Sequence, residues 1–180
     1  GGSGFLGSHV SDKLTQNGYQ VTIFDKVKSK YLLDSQSMIE GDILNLKEVN
    51  EAIKENDIVY NFAGLADIEE SKNDPIGTVR QNILGNTIIL ESAVKNNIKR
   101  YVFGSTVYVY SNLGSFYRIS KQACENYIEH YQQTFKLNYT ILRFGSLYGP
   151  RSDKRNGIYR FIYQAFKDKK IEWSGSKDSL

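Results

Sequence analysis

The chain begins with Gly1-Gly2-Ser3-Gly4-Phe5-Leu6-Gly7 and passes directly into a stretch with helical patterning, an arrangement few folds can use. Glycines fall at the first, fourth and seventh places, and the stretch also reads as G-x-G-x-x-G from Gly2. Such glycines let the backbone turn tightly and approach a pyrophosphate, whose charge then rests on the N-terminus of the following helix. A glycine cluster suits a flexible loop as well, so the reading depends on what comes next. A helix is predicted over 6–17, stopped by Gly18, and a strand over 20–25 (QVTIFD). Its last residue, Asp25, lies 18 residues beyond Gly7, close to the spacing of about 20 at which a carboxylate grips ribose hydroxyls. A carboxylate there repels a 2′-phosphate, which favours NAD over NADP; Lys26 and Lys28 close behind blunt that preference. The plain alternative for Asp25 is a turn residue at a strand end.

The rest of the chain repeats the alternation. A short strand is predicted near 37–40, a helix over 46–56, and a compact apolar strand over 57–62 (DIVYNF). A long helix follows over 74–97, with Asp74 as N-cap and Pro75 at the first helical position, where the missing N–H costs nothing. Then come a strand over 100–105, a helix over 117–136, a strand over 138–144 (NYTILRF), a helix over 157–169 and the start of a strand at 171–173. Strands alternating with helices of this length pair in parallel through helical crossovers. The fold class is α/β, a doubly wound parallel sheet.

Composition excludes several other classes. With 180 residues, 40% hydrophobic and 24% charged, the chain suits one globular domain with a sizeable core. No apolar run approaches the roughly 20 residues of a membrane span. The net charge of +3 comes from scattered lysines, so neither nucleic acid nor a membrane is an expected partner. Cys124 is the only cysteine, and His9 and His130 are the only histidines. That excludes a disulfide framework and leaves no metal site to expect; a cytoplasmic location follows. Cys124 reads as a small core residue, and both histidines as structural or solvated. The run Lys167-Asp168-Lys169-Lys170 reads as a solvated helix end. Arg151, Lys154 and Arg155 suit either a diphosphate or an ordinary basic loop, and Trp173 has no role legible in sequence. Gly1 has no strand ahead of it, and the chain stops at Leu180 in a polar stretch. Both ends are expected to be cuts, with 1–180 as a partial dinucleotide-binding domain that lacks its first strand and a C-terminal substrate lobe.

Tyr117-Arg118-Ile119-Ser120-Lys121 sets a phenol and an ammonium on one helical face. A free tyrosine titrates near 10 and is a poor base at neutral pH. A neighbouring lysine cation, together with an oxidised nicotinamide, lowers it toward the useful range. With 13 tyrosines in the chain, this spacing alone also fits a packed and solvated pair. Gly104-Ser105-Thr106 at the end of the preceding strand adds hydroxyls for a substrate oxygen.

At this point the sequence resembles the extended short-chain dehydrogenase/reductase family, particularly its NAD-dependent nucleotide-sugar epimerases and dehydratases. GGSGFLG is similar to the family's glycine loop and Gly41-Asp42-Ile43 to its adenine-side segment. Asn61-Phe62-Ala63-Gly64-Leu65 resembles the strand end beneath the cofactor in UDP-galactose 4-epimerases. Asn82-Ile83-Leu84-Gly85-Asn86-Thr87 is similar to the family's N-x-x-G-x-x stretch. Val109-Tyr110, Leu142-Arg143 and Tyr148-Gly149-Pro150-Arg151 complete the series.

The resemblance implies a Rossmann-like fold and NAD as cofactor. It places Gly1, Gly4, Phe5, Leu6, Gly7, Asp25, Asp42, Ile43, Phe62, Ala63, Gly64, Asn82 and Phe144 at the cofactor, along with Tyr117 and Lys121. It assigns catalysis to Thr106, Tyr117 as base and Lys121 as its partner. It also implies a homodimer built on the 74–97 and 117–136 helices, with Tyr127 and Tyr131 as interface aromatics. The implied substrate is a nucleotide sugar, and the implied reaction 4-epimerisation through a transient 4-keto sugar. The alternatives are a keto-sugar or small-carbonyl reductase, a nucleotide-sugar 4,6-dehydratase and a non-catalytic NAD-binding regulator. Against the dehydratase, Val107 and Tyr108 follow Thr106 where the family's dehydratases have an Asp-Glu pair. Three departures bear on the substrate: only ten residues separate Thr106 from Tyr117, Ser146 stands in place of an asparagine, and Ala66 in place of a lysine.

Overall fold

A computed structural model describes residues 1–172. Residues 1–145 form one compact unit; the remainder forms a second. In chain order the first unit comprises α1 (Phe5–Gln16), β1 (Thr22–Asp25), β2 (Ser37–Glu40), α2 (Leu46–Ile53), β3 (Ile58–Asn61), α3 (Ile68–Asn73) and α4 (Pro75–Thr78). A π-helical segment (Val79–Leu84), α5 (Gly85–Lys95), β4 (Arg100–Thr106), a 3₁₀ turn (Val107–Tyr110), α6 (Ser115–Phe135) and β5 (Tyr139–Phe144) follow. The second unit carries α7 (Gly157–Lys167), opened by Asn156, whose side chain accepts from the Tyr159 N–H.

All strand pairs are parallel, as helical crossovers require, and they fall into two sheets, β1-β2 and β3-β4-β5. The β4 strand is central: residues 101–106 are all buried, and its end at Thr106 pairs with Phe144. Leu90 and Ala93 of α5, Tyr101 and Phe103 of β4 and Cys124 and Ile128 of α6 fill one core. Cys124 is thus a core thiol, and its Sγ–H meets the Asn82 carbonyl at 3.1 Å.

β1 and β3 each pair on one side only, and a cavity of about 550 Å³ lies between them, lined by both strands and by Val10, Leu14, Val49 and Ile53. Gly1 stands at its mouth. The Gly1 nitrogen donates to the Phe24 carbonyl at 2.9 Å, and a Cβ on Gly1 would lie 2.4 Å from the Ala63 nitrogen.

Three segments differ from the sequence expectation. The long helix over 74–97 is broken: Asp74 and Pro75 do open it, but Val79–Leu84 winds as a π-helix before α5 resumes. The extra residue per turn carries Asn82 toward the 62–65 loop. Ahead of it, α3 is a six-residue helix capped by Asp67, too short for an apolar period to show. No regular structure forms at 171–172, and Trp173 lies outside the described residues. Among the described residues no helix is long and apolar enough to cross a membrane, and no cluster of His, Cys, Asp and Glu is placed to hold a metal ion.

Candidate active site

The glycine loop is held from three sides. Asp25 accepts the Ser3 N–H at 3.0 Å and the Val27 N–H at 3.2 Å, and Ser3 Oγ donates to the Val27 carbonyl at 2.6 Å. Gly7 packs so closely that a Cβ would sit 2.2 Å from the Gly1 oxygen, which only glycine allows. Gly4 is the N-cap of α1, with no capping side chain and no acidic residue in the first turn among the described residues. The first N–H groups of α1, those of Phe5, Leu6 and Gly7, therefore keep their partial positive charge for an anion. This cradle fits a dinucleotide pyrophosphate, with the Asp25 carboxylate near enough to the loop to meet a ribose.

Asp42 is less available. It accepts the Leu44 N–H at 2.9 Å and pairs with Lys26 at 3.1 Å, contacts that together hold its carboxyl below the usual range although burial works against them. The Ile43 side chain is in the core, which leaves only its backbone to meet a ligand there. At the end of β3, Asn61 takes part in a buried network. Its amide donates to Tyr101 Oη (2.8 Å) and Asn86 Oδ1 (3.2 Å), and its Oδ1 accepts the Ala63 N–H at 3.0 Å. That fixes the turn through Phe62, Ala63 and Gly64. Asn82 finishes the job one residue further on. Its Oδ1 accepts the Leu65 N–H at 2.7 Å and its Nδ2 donates to the Leu65 carbonyl at 3.0 Å and to Ser120 Oγ at 2.8 Å. Fully engaged and buried, the Asn82 side chain clamps the 62–65 loop rather than reaching outward. Phe144 stands across from Phe62, ring centroids 6.5 Å apart.

Thr106, Tyr117 and Lys121 converge where β4 ends. The Thr106 hydroxyl accepts the Tyr108 N–H at 3.2 Å and lies near the Tyr117 phenol. Burial pushes that phenol above its ordinary value of about 10, against the pull of the Thr106 hydroxyl. Lys121 is 5% exposed. Its Nζ donates to the Gly104 carbonyl at 2.7 Å, 4.5 Å over the Phe103 ring and 5.8 Å from the centre of the Tyr117 ring. Burial brings the ammonium down to about 8, with Cys124 and Glu125 opposing it. A cation beside the phenol is thus available below about pH 8.

Ser120 escaped sequence reasoning. Its hydroxyl donates to the Tyr117 carbonyl at 2.7 Å while accepting from Asn82, so it links the 62–65 loop to the helix that carries Tyr117 and Lys121. Its place beside Lys121 was the only available signal. Glu125 and the Gly104 carbonyl were also missed; neither belongs to a pattern that periodicity or charge marks out.

A glycine cradle at the carboxyl ends of parallel strands, an acidic residue at the end of β1 and a Tyr–Lys pair beside a strand-end hydroxyl define a Rossmann-type NAD-binding domain. Residues 1–179 match the sequence profile of the NAD dependent epimerase/dehydratase family, and the chain belongs to that family of NAD-dependent enzymes. Among similar structures is the UDP-glucose 4-epimerase of Thermus thermophilus in complex with NAD, 28% identical with a TM-score of 0.86, covering 93% of this chain and 61% of that one. Similar sequences include the UDP-N-acetyl-alpha-D-glucosaminuronate decarboxylase of Bacillus cytotoxicus, 29% identical over 92% of this chain and 58% of the relative. The dTDP-D-glucose 4,6-dehydratase of Dictyostelium discoideum is 27% identical over 98% of this chain and 49% of its own length. The chain spans roughly half to three-fifths of the length of these relatives.

Proposed function

We propose that the protein is a nucleotide-sugar 4-epimerase. The observation that carries this reading is the meeting of Thr106, Tyr117 and Lys121 at the end of β4, joined through Ser120 and Asn82 to the loop on the cofactor side. Bound NAD supplies a reversible hydride acceptor for the sugar's C4. Every other part of the reaction falls to the chain. Tyr117 removes the proton of the 4-hydroxyl and returns it after the sugar has turned over. The Thr106 hydroxyl holds the same oxygen within reach of the phenol. Lys121, as a cation, lowers the phenol far enough to act as a base. The glycine cradle and Asp25 orient the cofactor, and the Asn82 clamp keeps the 62–65 loop in register with α6.

Elimination of water needs acid and base groups at C5 and C6, and the 3₁₀ turn after Thr106 carries Val107, Tyr108, Val109 and Tyr110 with no carboxyl among them. That favours epimerisation over 4,6-dehydration. The test is incubation of the natural full-length chain with UDP-, GDP- and dTDP-hexoses without added cofactor, followed by mass spectrometry and NMR. An epimer of unchanged mass is expected. A product lighter by one water would assign a dehydratase, stoichiometric NADH consumption a reductase, and NAD binding without turnover a regulator.

The half-paired edges of β1 and β3 suit one further parallel strand between them, and we assign the cavity there to such a strand of the full protein.

Asp25 sets the cofactor preference in this reading. Asp25→Ala removes the carboxylate that a 2′-phosphate would face, but also an acceptor for the Ser3 N–H. NAD affinity should fall about tenfold and NADP affinity should not fall with it, as calorimetry on both cofactors would show. A parent that binds both equally would defeat the assignment.

A homodimer is also expected. Phe116, Ile119 and Tyr127 of α6 are exposed, as are Ile76, Val79 and Leu84 of the α4 to π segment. Tyr127 is 46% exposed, whereas Tyr131 is 8% exposed and donates to Glu91. Tyr131 is therefore a packing residue of this chain, and Tyr127 alone of the two is free to meet a second copy. Tyr127→Glu should shift the full-length protein toward monomer in light scattering at micromolar concentration; a parent that is already monomeric ends this expectation.

A further inference from the structure

Beneath the turn that carries Thr106 lies a charged cluster that the reaction above does not use. Glu125 follows Lys121 by one turn of α6 and is 7% exposed. Its Oε1 accepts from Ser105 Oγ at 2.5 Å and from Arg143 Nε at 3.0 Å, and its Oε2 accepts from Arg143 Nη2 at 2.8 Å. The remaining Arg143 nitrogen, Nη1, donates to Tyr110 Oη at 2.6 Å, with the guanidinium 5.0 Å over the Tyr110 ring. Gln122, also on α6, donates to the Val109 carbonyl at 2.9 Å. One carboxylate thus joins the ends of β4 and β5, and through Arg143 the 3₁₀ turn, to the helix that bears Tyr117 and Lys121.

Mechanical joining alone is a poor reason for a buried ion pair. Well-packed apolar side chains of similar volume commonly do that job at no cost in stability. A carboxylate at this position does something apolar packing cannot, because it stands at i+4 from a buried lysine whose burial favours the uncharged form. The groups facing Lys121 are Tyr117, Cys124 and Glu125 on its own helix and, on β4, the Phe103 ring and the Gly104 carbonyl. Arg143 of β5 stands on the far side of Glu125, and Thr106 and Tyr108 stand beside Tyr117. Glu125 supplies the negative charge in that shell.

We propose that Glu125, aimed by Ser105 and Arg143, is a positioning residue for the reaction: it fixes the Thr106 turn against α6 and provides the counter-charge that keeps Lys121 a cation beside Tyr117. This rests on the epimerase reading for its kinetic consequence, but not for its effect on cofactor binding.

The natural full-length chain is compared with Glu125→Gln, which retains an acceptor for Ser105, and with Arg143→Gln, which leaves the carboxylate less compensated. Turnover of a UDP-hexose and NAD affinity are each followed from pH 6 to about 10, with thermal melting as a folding control. In Glu125→Gln the alkaline fall in kcat should move to lower pH by about half a unit, with kcat down about threefold at pH 8.5 and KM unchanged. In Arg143→Gln the same limb should move to higher pH, an opposite displacement that loss of packing cannot produce. The alkaline decline of NAD affinity should move in the same two directions. A uniform loss at every pH, or limbs that stay where the parent has them, overturns the proposal. Should the parent bind NAD and convert no nucleotide sugar, the epimerase reading falls and the affinity profiles alone decide on Glu125. Should Glu125→Gln fail to fold, the direction of the Arg143→Gln displacement decides.

Discussion

Tyr117→Phe should lower turnover of a nucleotide sugar by the full-length protein at least about 10²-fold while leaving NAD bound, because it deletes one ionisable oxygen and nothing else. The ring stays, so its place 5.8 Å from the Lys121 ammonium is kept. The Thr106 hydroxyl still accepts the Tyr108 N–H, so the turn has no reason to move. The parent's pH dependence should show the two groups acting together. Burial leaves the phenol a weak base, and the proposed mechanism requires a cationic Lys121 to draw it down. Lys121 carries its charge below about pH 8 and loses it above. Turnover should therefore rise as Tyr117 ionises and fall as Lys121 gives up its proton, a bell whose alkaline side lies near pH 8 and whose acid side vanishes in Tyr117→Phe. Single-turnover kinetics across pH 6 to 10 measure it. A Phe variant within threefold of the parent would remove Tyr117 from the mechanism.

The sign of the same shift matters for stability. The folded Lys121 binds its proton more weakly than an unfolded lysine, which titrates near 10.4. Between about pH 8 and 10.4 the unfolded chain holds more protons at this position, so this group's contribution to stability rises with pH over that window. Burying Lys121 as a cation is thus a cost present below about pH 8, where the proposed reaction uses the cation, and it is offset in part by the Gly104 carbonyl and the Phe103 ring.

Residues acting through local chemistry were readable from sequence. The order of glycine loop, helix, strand and acid at Asp25 follows from rules of spacing, and β2 is placed at Ser37–Glu40 as expected. Asp74 and Pro75 announce a helix start by cap chemistry that does not depend on the rest of the fold. What could not be read depends on contacts distant in sequence. The π segment forms where Asn82 reaches Leu65 and Ser120, which lie 17 and 38 residues away, and no local propensity encodes that. The Ser105–Glu125–Arg143 cluster likewise joins three separate elements. Tyr127 and Tyr131 stand one turn apart on α6, and only packing against Glu91 of α5 separates the buried ring from the exposed one.

The largest structural effect is expected from the smallest addition, Gly7→Ala. A Cβ there would meet the Gly1 oxygen at 2.2 Å, the Gly2 Cα at 2.7 Å and the Gly1 carbonyl carbon at 2.9 Å. All three are backbone atoms, so no side chain can swing aside. Nor is there slack behind them: a Cβ on Gly1 would lie 2.4 Å from the Ala63 nitrogen, and one on Gly2 2.8 Å from the Ile23 side chain. The loop must therefore lift off α1 as a unit, which strains its Ser3–Asp25 bond and displaces the N–H groups meant for a pyrophosphate. Overpacking of this kind costs about 1–3 kcal/mol of stability. NAD affinity should fall at least about 10²-fold, equivalent to about 2.7 kcal/mol. Two further glycines grade the effect. Gly4→Ala places its Cβ 3.4 Å from the Gly1 oxygen, an ordinary contact, and should lose no more than about tenfold in affinity. Gly145→Ala has nothing within 4 Å and should change stability by less than about 0.5 kcal/mol. Calorimetry with NAD and thermal melts on the three full-length variants test the order, and a Gly7→Ala protein with parental affinity would show that this loop is not where the cofactor's phosphates rest.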